Sequence, residues 1–232
     1  MPVAIITGAS RGLGRALAGA LAERGWDLVI DARSADALKR AEGELAGRTR
    51  VAALPGDVAD PRHRVEVVSA AWEFGGLDLL VNNASALGAE PLRPLSEQPL
   101  EGLRAALETN VVAALGLVQE GLPLLRRRRG AVLNISSDAA VEAYPTWGGY
   151  GASKAALEQL SAVLAVEEPE LRVWWLDPGD MGTELYAAAV PDDPDADGRP
   201  APESVVPAVL GLLDAGAAGG RYVAPALLEA GR

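Results

Sequence analysis

The chain of 232 residues has no cysteine. That excludes disulfides, thiolate metal sites and thiol nucleophiles, and it leaves the redox compartment open. There is one histidine, His63, so a histidine-rich metal site is excluded by count and no metal centre is expected. A serine–histidine–acid triad would have to recruit His63 from the charged run Pro61-Arg62-His63-Arg64, where a solvated helix start is the simpler expectation. Positive charge is also scarce: 21 Lys and Arg face 32 Asp and Glu, a net charge of −11, which argues against a nucleic-acid partner and favours solubility. The one basic cluster, Arg126-Arg127-Arg128-Arg129, precedes Gly130 at the end of an expected helix. There, arginines complement the negative helix end in water. No run approaches the ~20 apolar residues of a membrane span, and Met1-Pro2 passes straight into an apolar run and a glycine motif without the layout of a signal peptide. A cytoplasmic protein without membrane partners is the expectation.

What is present is globular. Hydrophobic residues make up 49% and charged residues 23%, an ordinary balance for a packed domain, and the length suits one α/β unit over residues 1–232. Short apolar runs alternate with segments of helical period. The runs Val3–Ile6, Leu28–Ala32, Val51–Leu54, Leu77–Val81, Ala131–Ile135 and Arg172–Leu176 read as strands, with a weaker one near Arg221–Ala224. Continuous apolar strands separated by helices imply a doubly wound parallel sheet of six to seven strands, covered by helices on both faces. Gly25 ends the first helix, Asp60-Pro61 starts the third, and Leu100–Arg129 reads as one long helix bent or shortened at Pro123. The Ala-, Asp- and Pro-rich stretch within residues 182–202 is expected to be a mobile substrate loop.

Strand Val3–Ile6 runs into Thr7-Gly8-Ala9-Ser10-Arg11-Gly12-Leu13-Gly14 and then a helix. Glycines let backbone approach a pyrophosphate, and the helix N-terminus supplies free N–H groups and positive potential. Tyr150 and Lys154, four residues apart at a helix start, share a face. A lysine ammonium one turn away lowers a phenol's pKa and helps it exchange a proton with a substrate oxygen. Ser137 lies thirteen residues before Tyr150, past the C-terminal end of strand Ala131–Ile135, the edge where open α/β sheets bind ligands. Its hydroxyl can bond a carbonyl or a developing alkoxide.

The glycine spacing, Asn134-Ile135-Ser136-Ser137 and Tyr150-Gly151-Ala152-Ser153-Lys154 together resemble the short-chain dehydrogenase/reductase family. Asn82-Asn83-Ala84-Ser85, Gly56-Asp57-Val58, Asn110 in Glu108-Thr109-Asn110-Val111, and Pro178-Gly179 followed by Thr183 extend the resemblance over most of the chain. It implies a Rossmann fold and an oxidoreductase interconverting a carbonyl and a secondary alcohol. Ser137 would orient the carbonyl and Tyr150 would be the general acid/base. Lys154 would hold the nicotinamide ribose, and Asn110 would bend its helix and support a water relay. Gly8, Ser10, Arg11, Gly12, Leu13, Gly14, Arg33, Ser34, Asp57, Val58, Asn83, Ala84, Pro178, Gly179 and Thr183 would contact the cofactor with Tyr150 and Lys154. Ser85, Asp138, Tyr144, Trp147 and Met181 are candidates for the substrate pocket. Asp138 and Asp180 would suit a hydroxylated or cationic substrate, although solvated loop carboxylates explain them as well.

For the cofactor, Ala32 falls at the position that selects between nicotinamides, and Arg33 with Arg11 favours NADP(H) by charge-assisted pairing. Strand alternation turns Asp31 away from Ala32, but a slip of one residue would make it an acid selecting NAD(H). Two departures stand out. Trp174-Trp175 occupies a strand position where the family often has Asn, which reads as a buried aromatic pair. The tail also lacks the family's Asp-Gly-Gly ending, which puts tail-mediated tetramer contacts in doubt. The resemblance implies a homodimer or homotetramer, with a dimer formed through the helices beginning near Leu100 and Tyr150. The rival readings are a catalytically silent nicotinamide-binding regulator or scaffold, and a sugar-nucleotide epimerase or dehydratase, for which the chain lacks room for a substrate domain.

Overall fold

The computed structural model describes residues 1–230. Among them, seven strands form one parallel sheet in the order β3-β2-β1-β4-β5-β6-β7. The strands are β1 (Val3–Ile6), β2 (Asp27–Ala32), β3 (Val51–Pro55), β4 (Leu79–Asn82), β5 (Ala131–Ile135), β6 (Arg172–Asp177) and β7 (Gly220–Val223). Each expected strand is present, with ends moved by one or two residues.

Helices α1 (Gly12–Glu23), α2 (Ala35–Leu45) and α3 (Pro61–Glu73) connect the first strands, followed by α4 (Leu100–Leu107), α5 (Ala113–Arg128) and α6 (Gly148–Glu167). Beyond β6 come α7 (Glu184–Ala189), α8 (Val206–Ala215) and α9 (Ala224–Ala230). Strand alternation divides the core. Ala4, Ile6, Leu28, Ile30, Leu133 and Trp174 pack with α1 and α8 on one face. Val3, Ile5, Val29, Leu80, Val132 and Val173 pack with α3 and α5 on the other. Burial on both sides is why the strands read as unbroken apolar runs.

Three expectations need correction. The segment Leu100–Arg129 is broken by a π-helical turn at Glu108–Val112, with Asn110 at its centre, and α5 runs on through Pro123 to Arg128. A single π-turn of this kind widens a helix without ending it. Trp174 and Trp175 are not a buried pair. Alternation buries Trp174 fully, with its indole N–H 3.1 Å from the carbonyls of Ala217 and Ala218, and leaves Trp175 half-buried on the opposite face. His63 is not solvated. Asp60 does start α3, its carboxylate accepting the Arg62 N–H at 2.9 Å, but the His63 ring is 5% exposed and lies against Asp31.

The arginine cluster does lie at the end of α5. Arg126 pairs with Glu168, and Arg127 stacks over Trp72 at 5.2 Å. No described helix is long and apolar enough to cross a membrane.

Candidate active site at the C-terminal edge of the sheet

Because all strands run the same way, β1, β4, β5 and β6 deliver their following loops to one edge. There the glycine turn after β1 is braced from β4. The Thr7 hydroxyl accepts the backbone N–H groups of Asn83 and Ala84, each at 2.9 Å, and the Asn83 amide donates to the Thr7 carbonyl at 2.8 Å. Gly8 and Gly12 have φ of 64° and 55°, in the left-handed region that glycine adopts without strain. At Gly14 a Cβ would lie 2.5 Å from the Asn83 amide and 2.7 Å from the Gly8 carbonyl, so no larger residue fits. Arg11, at the N-cap of α1, makes no side-chain cap, so the first N–H groups of the helix stay free for an anion. The Leu13 side chain is in the core, which leaves only its backbone for a ligand. In sequence Thr7 reads only as the opening of the glycine motif; its bracing role shows first in these bonds.

Around this turn, Arg33 and Ser34 are exposed just past β2, and Ser34 also caps α2, accepting the Ala37 N–H at 3.4 Å. Asp57 is exposed and accepts the Ala59 N–H, whereas Val58 is in the core. Arg11 is exposed and paired with Glu184. Thr183 caps α7 through the Tyr186 N–H, and its methyl group approaches the space beside Gly12. Segment 182–202 therefore touches the glycine turn, and part of it is helical.

Asp31 resolves as alternation requires. Ala32 packs on the face of α1 and α2. Asp31 is 1% exposed on the opposite face, where its carboxylate accepts the Gly8 N–H at 2.9 Å and lies 3.1 Å from His63 Nε2.

At the β5–β6 end, Tyr150 and Lys154 are buried on the first turns of α6. Lys154 donates to the Ile135 carbonyl at 2.7 Å, and its nitrogen is 5.5 Å from the centre of the Tyr150 ring. Burial alone pushes the lysine down to about 7, and burial, the largest cause, pushes the Tyr150 phenol up to about 12. The Ser137 hydroxyl donates to Asp138 at 2.9 Å and caps a short 3₁₀ turn, Asp138–Ala140. Asn110 is 1% exposed, and its side chain is fully committed. It bonds the backbone of Ala86 in both directions, accepts from Ser85 and donates to Ser153 at 2.8 Å.

Ser137, Asp138, Tyr144, Trp147, Tyr150 and Met181 line one cavity of about 270 Å³, together with Pro178, Gly179 and Thr183. Ser85 is outside that lining, turned toward Asn110. Tyr186, from the expected substrate loop, also lines the cavity, and sequence reasoning missed Asp177 and the support beneath it. There, Glu158 accepts from Ser136 at 2.5 Å and pairs with Arg221 of β7 at 3.0 Å, and Arg221 reaches Asp177 at 3.7 Å. These contacts join residues far apart in sequence and left no local pattern to read.

The comparisons agree with this geometry. A family model described as short chain dehydrogenase matches residues 2–194. The chain belongs to the short-chain dehydrogenase family and is an oxidoreductase of that family. It is 33% identical over 202 residues to the L-fucose dehydrogenase of Oryctolagus cuniculus, covering 82% of this chain and 67% of that protein. It is 34% identical over 187 residues to the NADPH-dependent pterin aldehyde reductase of Arabidopsis thaliana, covering 79% and 76%. The alcohol dehydrogenase from the archaeon Thermococcus sibiricus, complexed with 5-hydroxy-NADP, superposes with a TM-score of 0.85 at 30% identity, covering 96% of this chain and 95% of that one.

Proposed function

We propose that the protein is an NADP(H)-dependent oxidoreductase interconverting a carbonyl and a secondary alcohol, with Tyr150 as general acid/base. The observation that carries this reading is the convergence of Ser137 and Tyr150 on one cavity, with Lys154 packed beneath the tyrosine and a braced glycine turn at the same sheet edge. The residues fit a dinucleotide: free N–H groups at the start of α1 and the tight backbone at Gly14 suit a pyrophosphate. The bound nicotinamide would supply or accept the hydride.

The chain's own residues do the rest. Tyr150, held protonated by burial, donates its proton to the carbonyl oxygen during reduction. Ser137 turns its hydroxyl from Asp138 to that oxygen and orients it. Lys154 holds the nicotinamide ribose and, when charged, eases proton loss from Tyr150. Asn110 keeps the Ser85–Ala86 backbone against α6. Trp147, edge-on to Tyr150 at 5.7 Å, excludes water. Asp138, Asp177 and Asp180 beside Tyr144 and Tyr186 favour a hydroxylated or cationic substrate, and segment 182–202 serves as its closing loop.

The preference for NADP(H) rests on the inward Asp31 and the exposed Arg33, in keeping with the NADPH dependence of the Arabidopsis reductase and the 5-hydroxy-NADP bound by the Thermococcus dehydrogenase. A homodimer or homotetramer through the surfaces around α4 and α6 is supported by the exposed Leu100 and Val166 there. Titration with NADPH and NADH, followed by nicotinamide fluorescence, tests the cofactor reading. A screen of ketones and aldehydes with the bound cofactor tests the reaction. Failure to bind either nucleotide would overturn both.

A further inference from the structure

Among the described residues, Asp31 and His63 form the one acid–base contact with both side chains buried, and the proposed chemistry does not use it. Asp31 ends β2 one residue before Ala32, and its carboxylate is bonded to the first glycine of the phosphate turn. A carboxylate in this place would repel a 2′-phosphate on the adenosine ribose. In a poorly solvated setting the repulsion extends over several ångströms. Among the described residues, the only cationic partner of Asp31 is His63.

The surroundings are built to hold that ring. Gly56, which follows β3, leaves space a side chain would fill: a Cβ there would lie 2.3 Å from His63 Nδ1. The charged groups facing His63 are acidic. They are Asp31 from β2, Glu66 at 3.9 Å and Asp60 from its own helix, and through Asp31 the Asp57 carboxylate after β3. The Arg64 guanidinium of the same helix is engaged by the Val58 and Ala59 carbonyls. Both proton affinities are raised, His63 first by its bond to Asp31 and Asp31 first by burial, so the pair favours holding one proton between its two members.

We propose that His63 is a specificity-determining residue for the adenosine end of the cofactor, holding Asp31 turned into the protein and neutralising it so that a 2′-phosphate is accepted at the glycine turn. The inference rests on the NADP(H) reading and adds a cause for it. His63 acts through Asp31 and is a positioning residue. Orientation and charge are separable. A neutral donor at position 63 keeps Asp31 turned inward but leaves its charge exposed to the phosphate.

The test is the ratio of the Kd for NADH to the Kd for NADPH, followed by nicotinamide fluorescence. In His63→Gln at pH 7 the ratio should fall about tenfold, the size of one unscreened like-charge contact at this range, with NADH binding little changed. Adding Asp31→Asn to that variant should restore the ratio. In the wild-type protein the ratio should fall as pH rises and His63 loses its charge, which needs no variant to fold. A ratio unchanged both in His63→Gln and across pH 6 to 9 would overturn the proposal. A wild-type ratio below one would instead overturn the NADP(H) reading, and the shift between wild type and variant would still decide the role of His63.

Discussion

The glycine-turn end of the cleft is held largely by backbone. Its bracing bonds come from main-chain N–H and C=O groups, with Thr7, Asn83 and Asp31 as side-chain partners. Its buried acid, Asp31, lies 3.1 Å from the His63 ring nitrogen. The β5–β6 end is held by side chains. Among the described residues Lys154 is buried without a carboxylate partner, Tyr150 has its proton affinity raised, and Ser137 is turned to a neighbour. Nothing in the first region needs to change protonation for a nucleotide to bind. In the second, burial displaces the proton affinities of Lys154 and Tyr150 in opposite directions, the condition under which a buried group becomes a candidate for proton exchange. The difference separates a region whose polar groups are matched at rest from one whose groups are not.

The sharpest way to break this division is Tyr150→Phe. It should lower kcat by about 10²–10⁴-fold, the usual range for losing a positioned acid/base, while fluorescence titration shows cofactor Kd nearly unchanged. Comparable loss of binding would mean the two regions are not separate.

Gly14→Ala should do the reverse. The added methyl meets the Gly8 carbonyl and the Asn83 amide, so NADPH affinity should fall by about tenfold or more, with an overpacking cost of roughly 1–3 kcal/mol in thermal unfolding.

The pH profile divides the regions more finely. With Lys154 lowered to about 7 and Tyr150 raised to about 12, the lysine loses its charge first as pH rises while the phenol keeps its proton. The carbonyl-reducing kcat should therefore decline above about pH 7, by at most about tenfold per unit. A profile flat to pH 9 would detach the charge of Lys154 from the reaction.

The smallest effect on rate is expected for Arg221→Met. It removes the cation between Glu158 and Asp177 beneath the cavity. Stability should fall by about 1–3 kcal/mol, read by chemical denaturation, with kcat changed only a few-fold.

The strands and glycine turn were legible because each is local: a run of apolar residues, or a glycine spacing, means the same thing wherever the chain later goes. Alternation alone placed Ala32 and Asp31 on opposite faces of β2, as found. His63 was misread for the opposite reason. Its charged neighbours describe a solvated helix start, and only the crossover that lays α3 against β2, 32 residues back, shows what the ring meets. The long helix widens at Asn110, where the resemblance implied a bend, and runs on through Pro123, where proline alone suggested one; the bonds that seat Asn110 come from Ala86 and Ser153 on separate segments. Ser137, Tyr150 and Lys154 were legible as a pattern, whereas the Glu158–Arg221–Asp177 support below them joins α6, β6 and β7 and has no pattern to show.

The strand order carries a consequence for the birth of the molecule. Of the seven described strands β1 is made first, yet it ends in the middle of the sheet, paired on one side with β2 and on the other with β4 from Leu79 onward. A nascent chain stopped before Leu79 presents β1 with one open edge. The partner of Arg11, Glu184, is 173 residues downstream. At typical elongation rates that gap is on the order of ten seconds or more. Throughout that interval Arg11 is without the partner it has in the finished fold, so of the described segments the glycine turn is among the first made and among the last completed.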